Sequence, residues 1–145
     1  MGISKKADPY RKIAKKFDIM AEPFISSLRQ IGMKLYPPKE GLHVLDVGCG
    51  TGTNLVLYHE AGCRVFGIDS SASMLDEAKK KLYDNAELLL GSASEMHFPD
   101  KSFDLVICVL ALHEMPLITR SHVMDEIVRV LKPDGRILLI DYHFG

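Results

Sequence analysis

Short, nearly continuous apolar runs alternate along the chain with stretches of helical periodicity. From Pro23, the residues Phe24, Leu28, Ile31 and Leu35 fall on one helical face, and Pro37-Pro38 ends the pattern. HVLDVG (His43 to Gly48) then reads as a buried strand stopped by glycine. Thr53 to Ala61 reads as a helix closed by Gly62, and CRVFGID (Cys63 to Asp69) as a second strand. Ser71 to Tyr83 is a helix with Met74, Leu75, Ala78 and Leu82 on one face; Asp76/Lys80 and Glu77/Lys81 have the spacing of i,i+4 ion pairs. AELLLG (Ala86 to Gly91) is a third strand and FDLVICVL (Phe103 to Leu110) a fourth. Ser121 to Leu131 is a helix with Val123, Ile127 and Val130 inward. KPDG (Lys132 to Gly135) is a turn, and RILLID (Arg136 to Asp141) a fifth strand.

Strands alternating with helices predict an α/β fold: a Rossmann-like parallel sheet of about five strands with helices on both faces. Residues 1–40 are then a helical extension and residues 41–145 the sheet domain. Ligands of such sheets bind beyond the carboxyl ends of the strands, where the strand order reverses.

Composition narrows the class. Of 145 residues, 18 are basic and 19 acidic, a balance that argues against a nucleic-acid partner. The basic cluster of Lys5, Lys6, Arg11, Lys12, Lys15 and Lys16 reads as a solvated helix face. Cys49, Cys63 and Cys108 are an odd count within or beside apolar stretches, which predicts reduced, buried thiols and a cytoplasmic location. No apolar run approaches a membrane span, and no residues have metal-ligand spacing.

The chemistry concentrates in VLDVGCGTGTN (Val44 to Asn54). Gly48, Gly50 and Gly52 have the spacing G-x-G-x-G, where the dinucleotide fingerprint is G-x-G-x-x-G. Asp46 stands two residues before the first glycine, an awkward neighbour for pyrophosphate but a suitable one for an ammonium or another positive charge. Asp69 ends the second strand, 21 residues after Gly48, where a carboxylate can accept from both hydroxyls of a ribose. The expected ligand is a nucleoside with a compact zwitterionic or cationic tail.

VLDVGCGTG, GIDSSASML, GSASEMHFPDKSFDLVICVLALHEM and VLKPDGRILLIDY occur in this order. The series resembles the class I S-adenosylmethionine-dependent methyltransferases, and among them the branch of ubiquinone/menaquinone C-methyltransferases and small-molecule or phospholipid methyltransferases. The resemblance covers roughly Tyr10 to Asp141 and implies strand order 3-2-1-4-5. It implies S-adenosyl-L-methionine as cofactor and a small-molecule or lipid-like acceptor. It also implies that Gly48, Cys49, Gly50, Thr51 and Gly52 line the methionine part, with Asp46 near the amino end. Asp69 would hold the ribose, Ser70 and Met74 would flank the adenine, Ala93 would offer it a backbone N–H, and Val109 and Leu110 would lie near the sulfonium. The chain departs from the family where Ser92 replaces an acid, and where Phe17-Asp18 stands for a tyrosine-aspartate pair that Tyr10 could replace.

Methyl transfer needs a base only if the acceptor must lose a proton, and the candidate is His113 in ALHEM. The alternative for His113 is pocket shaping. Glu114 is a second acceptor contact or a helix cap; Tyr142 and His143 are either pocket or frayed end. Cys49 reads as a small residue packed in a tight loop, and Met96 and His97 as loop packing. Two other functional readings stay open: a domain that binds cofactor without turnover, and an NAD-dependent oxidoreductase, which the glycine spacing and Asp46 oppose. Relatives of this class usually continue past the fifth strand, so RILLID is expected to be an open edge, in a truncated enzyme or in a homo-oligomer that pairs this edge.

Overall fold

The computed structural model describes residues 8–141, the side chains of residues 22–24 excepted, so Tyr142 and His143 lie outside the described residues, as does the Phe24 side chain. Five strands, β1 (His43–Val47), β2 (Arg64–Asp69), β3 (Ala86–Leu90), β4 (Phe103–Val109) and β5 (Leu131–Ile140), form one sheet. Every pairing is parallel and the order is β3-β2-β1-β4-β5, as the resemblance implies. The helices are α1 (Phe17–Leu35), α2 (Thr53–Glu60), α3 (Ala72–Leu82) and α4 (Leu117–Val130).

Two cores flank the sheet. Leu55 and Tyr58 of α2, with Leu75 and Leu82 of α3, pack on Val44, Val65, Leu105 and Ile107. On the other face Val123, Ile127 and Val130 of α4 pack on Leu45, Val47, Val106 and Cys108. Ser71 starts α3: its hydroxyl accepts from the Met74 N–H at 3.1 Å, and Lys79, Lys80 and Lys81 complement the negative end of the helix dipole.

Several elements differ from the reading of the sequence. α1 starts at Phe17, so Pro23 lies inside it rather than at its start. Its packed face is Phe17, Ala21, Ile25 and Arg29, which line a cleft, with Gly32 against Leu138. Of the predicted face, Ile31 and Leu35 point outward, 53% and 72% exposed, while Leu28 is half-buried. Hydropathy misplaced this face because Ala21, Arg29 and Gly32, which carry little apolar signal, make three of its five positions. α4 starts at Leu117, four residues early, because Pro116 is set for a helix start and its carbonyl accepts from the Arg120 N–H. The KPDG turn interrupts β5 instead of preceding it: Phe103 pairs with Leu131 and Leu105 with Arg136, so residues 132–135 bulge out between them. Lys80 pairs with Glu77, and Lys81 turns away to Asp18.

No helix connects β3 to β4; residues 91–102 cross the α4 face as a loop. Met96 and Phe98 are buried there, while His97 is exposed. Phe98 meets Phe66 and Phe103 edge to face, with centroids 6.3 and 5.2 Å away. Arg129 of α4 anchors the loop backbone. Its guanidinium donates to the carbonyls of Met96 and Phe98 at 2.8 Å each and to the carboxylates of Glu126 and Asp100, while Glu126 accepts from the Met96 N–H at 2.7 Å. Arg129→Met keeps the aliphatic stem but orphans two loop carbonyls. It should lower unfolding free energy by about 2 kcal/mol in urea titrations.

Candidate functional site

The glycine loop is shaped by close approach. Gly48 has φ +75°, and a Cβ there would lie 2.9 Å from the Ala111 Cβ, so the loops after β1 and β4 touch. Gly52 caps α2 with φ +82°, and a Cβ would sit 3.0 Å from both Ala78 and Leu82 of α3. Opposite the loop, Leu110 adopts φ +56° and donates its N–H to the Ile140 carbonyl at 2.7 Å. This left-handed non-glycine residue turns the chain out of β4 and into residues 111–115.

A cleft of about 780 Å³ opens at the carboxyl ends of β1, β2 and β4. Of the residues singled out in the sequence, Gly48, Cys49, Gly50, Thr51, Asp69, Ser70, Met74, Ser92, Ala93, Val109, Leu110 and His113 line it. Asp46 and Gly52 do not: Asp46 is buried in β1, and Gly52 packs toward α3 where it caps α2. The sequence did not single out the contributions of Ala21, Ile25, Arg29, Thr119 and Val123. Only the helical period of the first four-residue steps, Phe17 to Arg29, could have signalled the α1 wall.

Asp69 accepts from the Gly50 N–H and the Ser71 N–H, both at 2.8 Å. Burial pushes its carboxyl above the usual range, aided by the charges of Asp8 and Glu114 and opposed by those two bonds. Asp46 is 1% exposed, and its Oδ2 has no hydrogen-bond partner. Burial and the Asp69 charge raise its carboxyl well above the ordinary range, against bonding from Asn54 and the charge of Arg29. Arg29 Nε donates to Asn54 Oδ1 at 2.7 Å, so an Arg29–Asn54–Asp46 chain supports the loop from below. Cys49 packs against Gly67, and burial pushes its thiol well up, which makes it a packing residue.

The N-terminal segment crosses the cleft. Asp8 accepts from Ser71 Oγ at 2.7 Å and from the N–H groups of Ser73 and Tyr10 at 3.0 and 2.9 Å. Burial would raise its carboxyl, but these bonds together hold it below the usual range. Tyr10 Oη donates to Glu114 at 2.8 Å, and its ring stands edge-on to Phe17. Asp18 accepts from Thr51 Oγ1 at 2.5 Å and from the Lys81 ammonium, which also donates to Thr51 and Thr53 at 3.0 Å. Tyr10, Phe17 and Asp18 all line the cleft. Ser92 bonds Ser94, oxygen to oxygen at 2.7 Å.

His113 sits in a short turn, Leu112–Glu114. Its Nδ1 lies 2.8 Å from Asp141 Oδ1, and its Nε2 lies 3.9 Å from Glu114 Oε1. Asp141 was read only as the last residue of the fifth strand; the adjacency of β4 and β5 is the signal that could have paired it with His113.

The acidic lining favours positive charge in the cleft. Asp18, Asp69 and Glu114 line the cleft, whereas the arginine on its wall is tied into the loop support. Among the described residues no group of three or more His, Cys, Asp or Glu is placed to hold a metal ion, and no helix is long and apolar enough to cross a membrane.

Fold and cleft together define a Rossmann-like domain with an acid-lined cleft at its switch point. Residues 45–139 match the family described as methyltransferase domain, and the chain belongs to that family, in its class I fold. It is 36% identical to the demethylmenaquinone methyltransferase of Listeria welshimeri, over 91% of this chain and 60% of that protein. It is 32% identical to the Bacillus cereus enzyme of the same name, over 92% and 60%. The chain therefore spans about 60% of the length of these curated relatives. A chain of the complex between the Haloferax volcanii Trm112 methyltransferase activator and its methyltransferase superposes with TM-score 0.81 at 29% identity, covering 91% of this chain and 59% of that one. A SAM-dependent methyltransferase from Aquifex aeolicus gives 0.69 at 27%, covering 79% and 63%.

Two outcomes are expected from this geometry. Tyr10→Phe removes the bond to Glu114, and amide exchange over residues 8–16 should quicken roughly tenfold. Asp46→Asn should raise thermal stability at pH 7. A carboxyl whose folded pKa is raised loses stability as pH rises above its unfolded pKa, so the advantage of the variant should shrink as pH falls toward the ordinary carboxylate range. An unchanged difference between pH 7 and pH 4 would sink the assignment.

Proposed function

We propose that this chain binds S-adenosyl-L-methionine in the cleft and directs methyl transfer to a small-molecule or lipid-like acceptor. The observation that carries the reading is the pairing of the glycine loop with Asp69 in an acid-lined cleft. The Gly50 N–H already meets the Asp69 carboxylate at the place where a ribose would dock, and positive charge is favoured around it. Gly48, Gly50 and Thr51 would hold the methionine end, Asp69 the ribose, and Ser70, Met74, Ser92 and Ala93 the adenine. Asp46 would act through the loop rather than by contact. When bound, the cofactor supplies an electrophilic methyl group on a sulfonium.

The protein orients and dries the site. The Phe17–Ala21–Ile25 face of α1 covers the cleft, and Tyr10 fastens the N-terminal segment to Glu114. Val109 and Leu110 would sit by the reacting centre, and His113 would face the acceptor. The names of the relatives support an acceptor of the demethylmenaquinone kind, an apolar ring system. Ala111, Met115 and Val123 offer an apolar wall for one. The near balance of 18 basic and 19 acidic residues supports no nucleic-acid partner, and the buried free thiols support a cytoplasmic protein. The outer edge of β5, with Ile137 and Leu139 partly exposed, supports pairing with a second copy.

Calorimetric titration tests the reading. S-adenosylmethionine should bind and NAD should not, and Asp69→Ala should weaken binding at least ~10-fold, from the loss of a charge-assisted hydrogen bond. Equal binding of both cofactors, or an indifferent variant, would overturn it.

A further inference from the structure

We infer that the mouth of the cleft is a docking surface for an anionic lipid bilayer, built from the basic residues between Arg11 and Lys16 and the exposed apolar side chains of Ile19, Met20, Leu117 and Ile118. Three stretches of the chain form this mouth, each bracketed by residues that line the cleft. Residues 11–16 run between Tyr10 and Phe17, Ile19 and Met20 stand between Asp18 and Ala21, and Leu117 and Ile118 stand between Met115 and Thr119. The Tyr10 hydroxyl bonds Glu114 at 2.8 Å, which brings the first stretch to the third. Ala14 is buried and seats the first stretch on the domain, while Arg11, Lys12, Lys15 and Lys16 around it are exposed. Ile19, Met20, Leu117 and Ile118 are each at least 67% exposed. The acids that flank the basic stretch along the chain are already engaged, Asp8 by Ser71 and Asp18 by Lys81.

This combination of side chains selects among partners. Arg11 to Lys16 carries four positive charges and no acid, a local field that the balanced chain as a whole lacks. The cores of protein–protein interfaces are rich in aromatic residues and poor in lysine. Here the exposed apolar side chains are aliphatic or thioether, and lysine dominates the cations. An anionic bilayer takes both: aliphatic groups and lysine stems enter the headgroup boundary, while the ammonium groups stay with the lipid phosphates. A nucleic acid would engage the cations and leave the four apolar side chains in water. The interior of the cleft has the opposite sign, with Asp69 at its floor, so anionic headgroups stop at the mouth. The inference stands apart from the methyl-transfer reading, to which it adds a route by which a lipid-like acceptor reaches the cleft.

The test uses the full chain with vesicles of phosphatidylcholine alone and of equal parts phosphatidylcholine and phosphatidylglycerol, without S-adenosylmethionine. The chain should sediment with the anionic vesicles and not with the neutral ones, and about 1 M salt, which screens charges beyond roughly 3 Å, should release most of it. Lys12→Gln, Lys15→Gln and Lys16→Gln combined should weaken binding roughly 100-fold, at about fivefold per charge. Leu117→Ser with Ile118→Ser should weaken it roughly tenfold. Val128→Ser, at an exposed apolar position near the far end of α4, should leave it unchanged. Urea midpoints of all these variants should match the unaltered chain, because every altered side chain is exposed. The chain has no tryptophan, so Leu117→Trp gives a single reporter, whose emission should shift to the blue on anionic vesicles while that of Val128→Trp does not. No binding to anionic vesicles, equal binding to both kinds, full binding by the lysine variant, or a blue shift at Val128→Trp alone overturns the inference. So does a blue shift of Leu117→Trp that follows protein concentration without vesicles, which would make this surface a contact between copies.

Discussion

Burial of the central strands on both faces is the constraint on which the rest of the structure depends. Val44, Leu45 and Val47 of β1 and Leu105, Val106, Ile107 and Cys108 of β4 are almost wholly removed from solvent. Strands that apolar must lie in the middle, with helices above and below. Once β1 and β4 are neighbours, their two outgoing chains leave in opposite directions, to α2 on one face and toward α4 on the other. The gap between those departures is the cleft. The site follows from where the core is most apolar, and no separate device is needed to open it.

The walls of the gap then depend on small residues. Gly48 against Ala111 lets the loops after β1 and β4 touch, and Gly52 against Ala78 seats α2 on α3. Larger side chains at either place would lift the glycine loop away from Asp69 and break the Gly50 bond. Buried charge works the other way. Asp46 inside the central strand costs stability, and the Asn54 and Arg29 support offsets only part of it. Through Asn54 and Arg29, Asp46 bears on the position of the loop above it.

Much of this was legible in the sequence, for reasons tied to particular residues. The strands were legible because both-face burial writes continuous apolar runs, as in Val44–Val47 and Phe103–Val109. The loop was legible because positive φ restricts Gly48 to Gly52, and Asp69 because strand ends are punctuated. The packed face of α1 was not legible: Ala21, Ile25, Arg29 and Gly32 make it, while the more apolar Ile31 and Leu35 face outward. Local periodicity cannot see that Gly32 is needed to admit Leu138. Nor could it place Tyr10 on Glu114, or Asp141 on His113, pairs that only the adjacency of distant segments creates.

Those long-range pairs share one feature. Tyr10–Glu114, Asp18–Thr51, Asp8–Ser71 and His113–Asp141 each tie a segment that the sheet does not organise to one that it does. The sheet fixes the floor of the cleft through apolar burial, which is strong and insensitive to small shifts. The roof and the His113 turn are fixed by small sets of polar bonds, which are weaker and directional. An apolar floor of that kind cannot be altered without loss of packing, whereas polar ties at the rim can change with few substitutions. The rim is therefore the part of the cleft most open to change, and in this chain polar ties of Tyr10 to Glu114 and of His113 to Asp141 hold it.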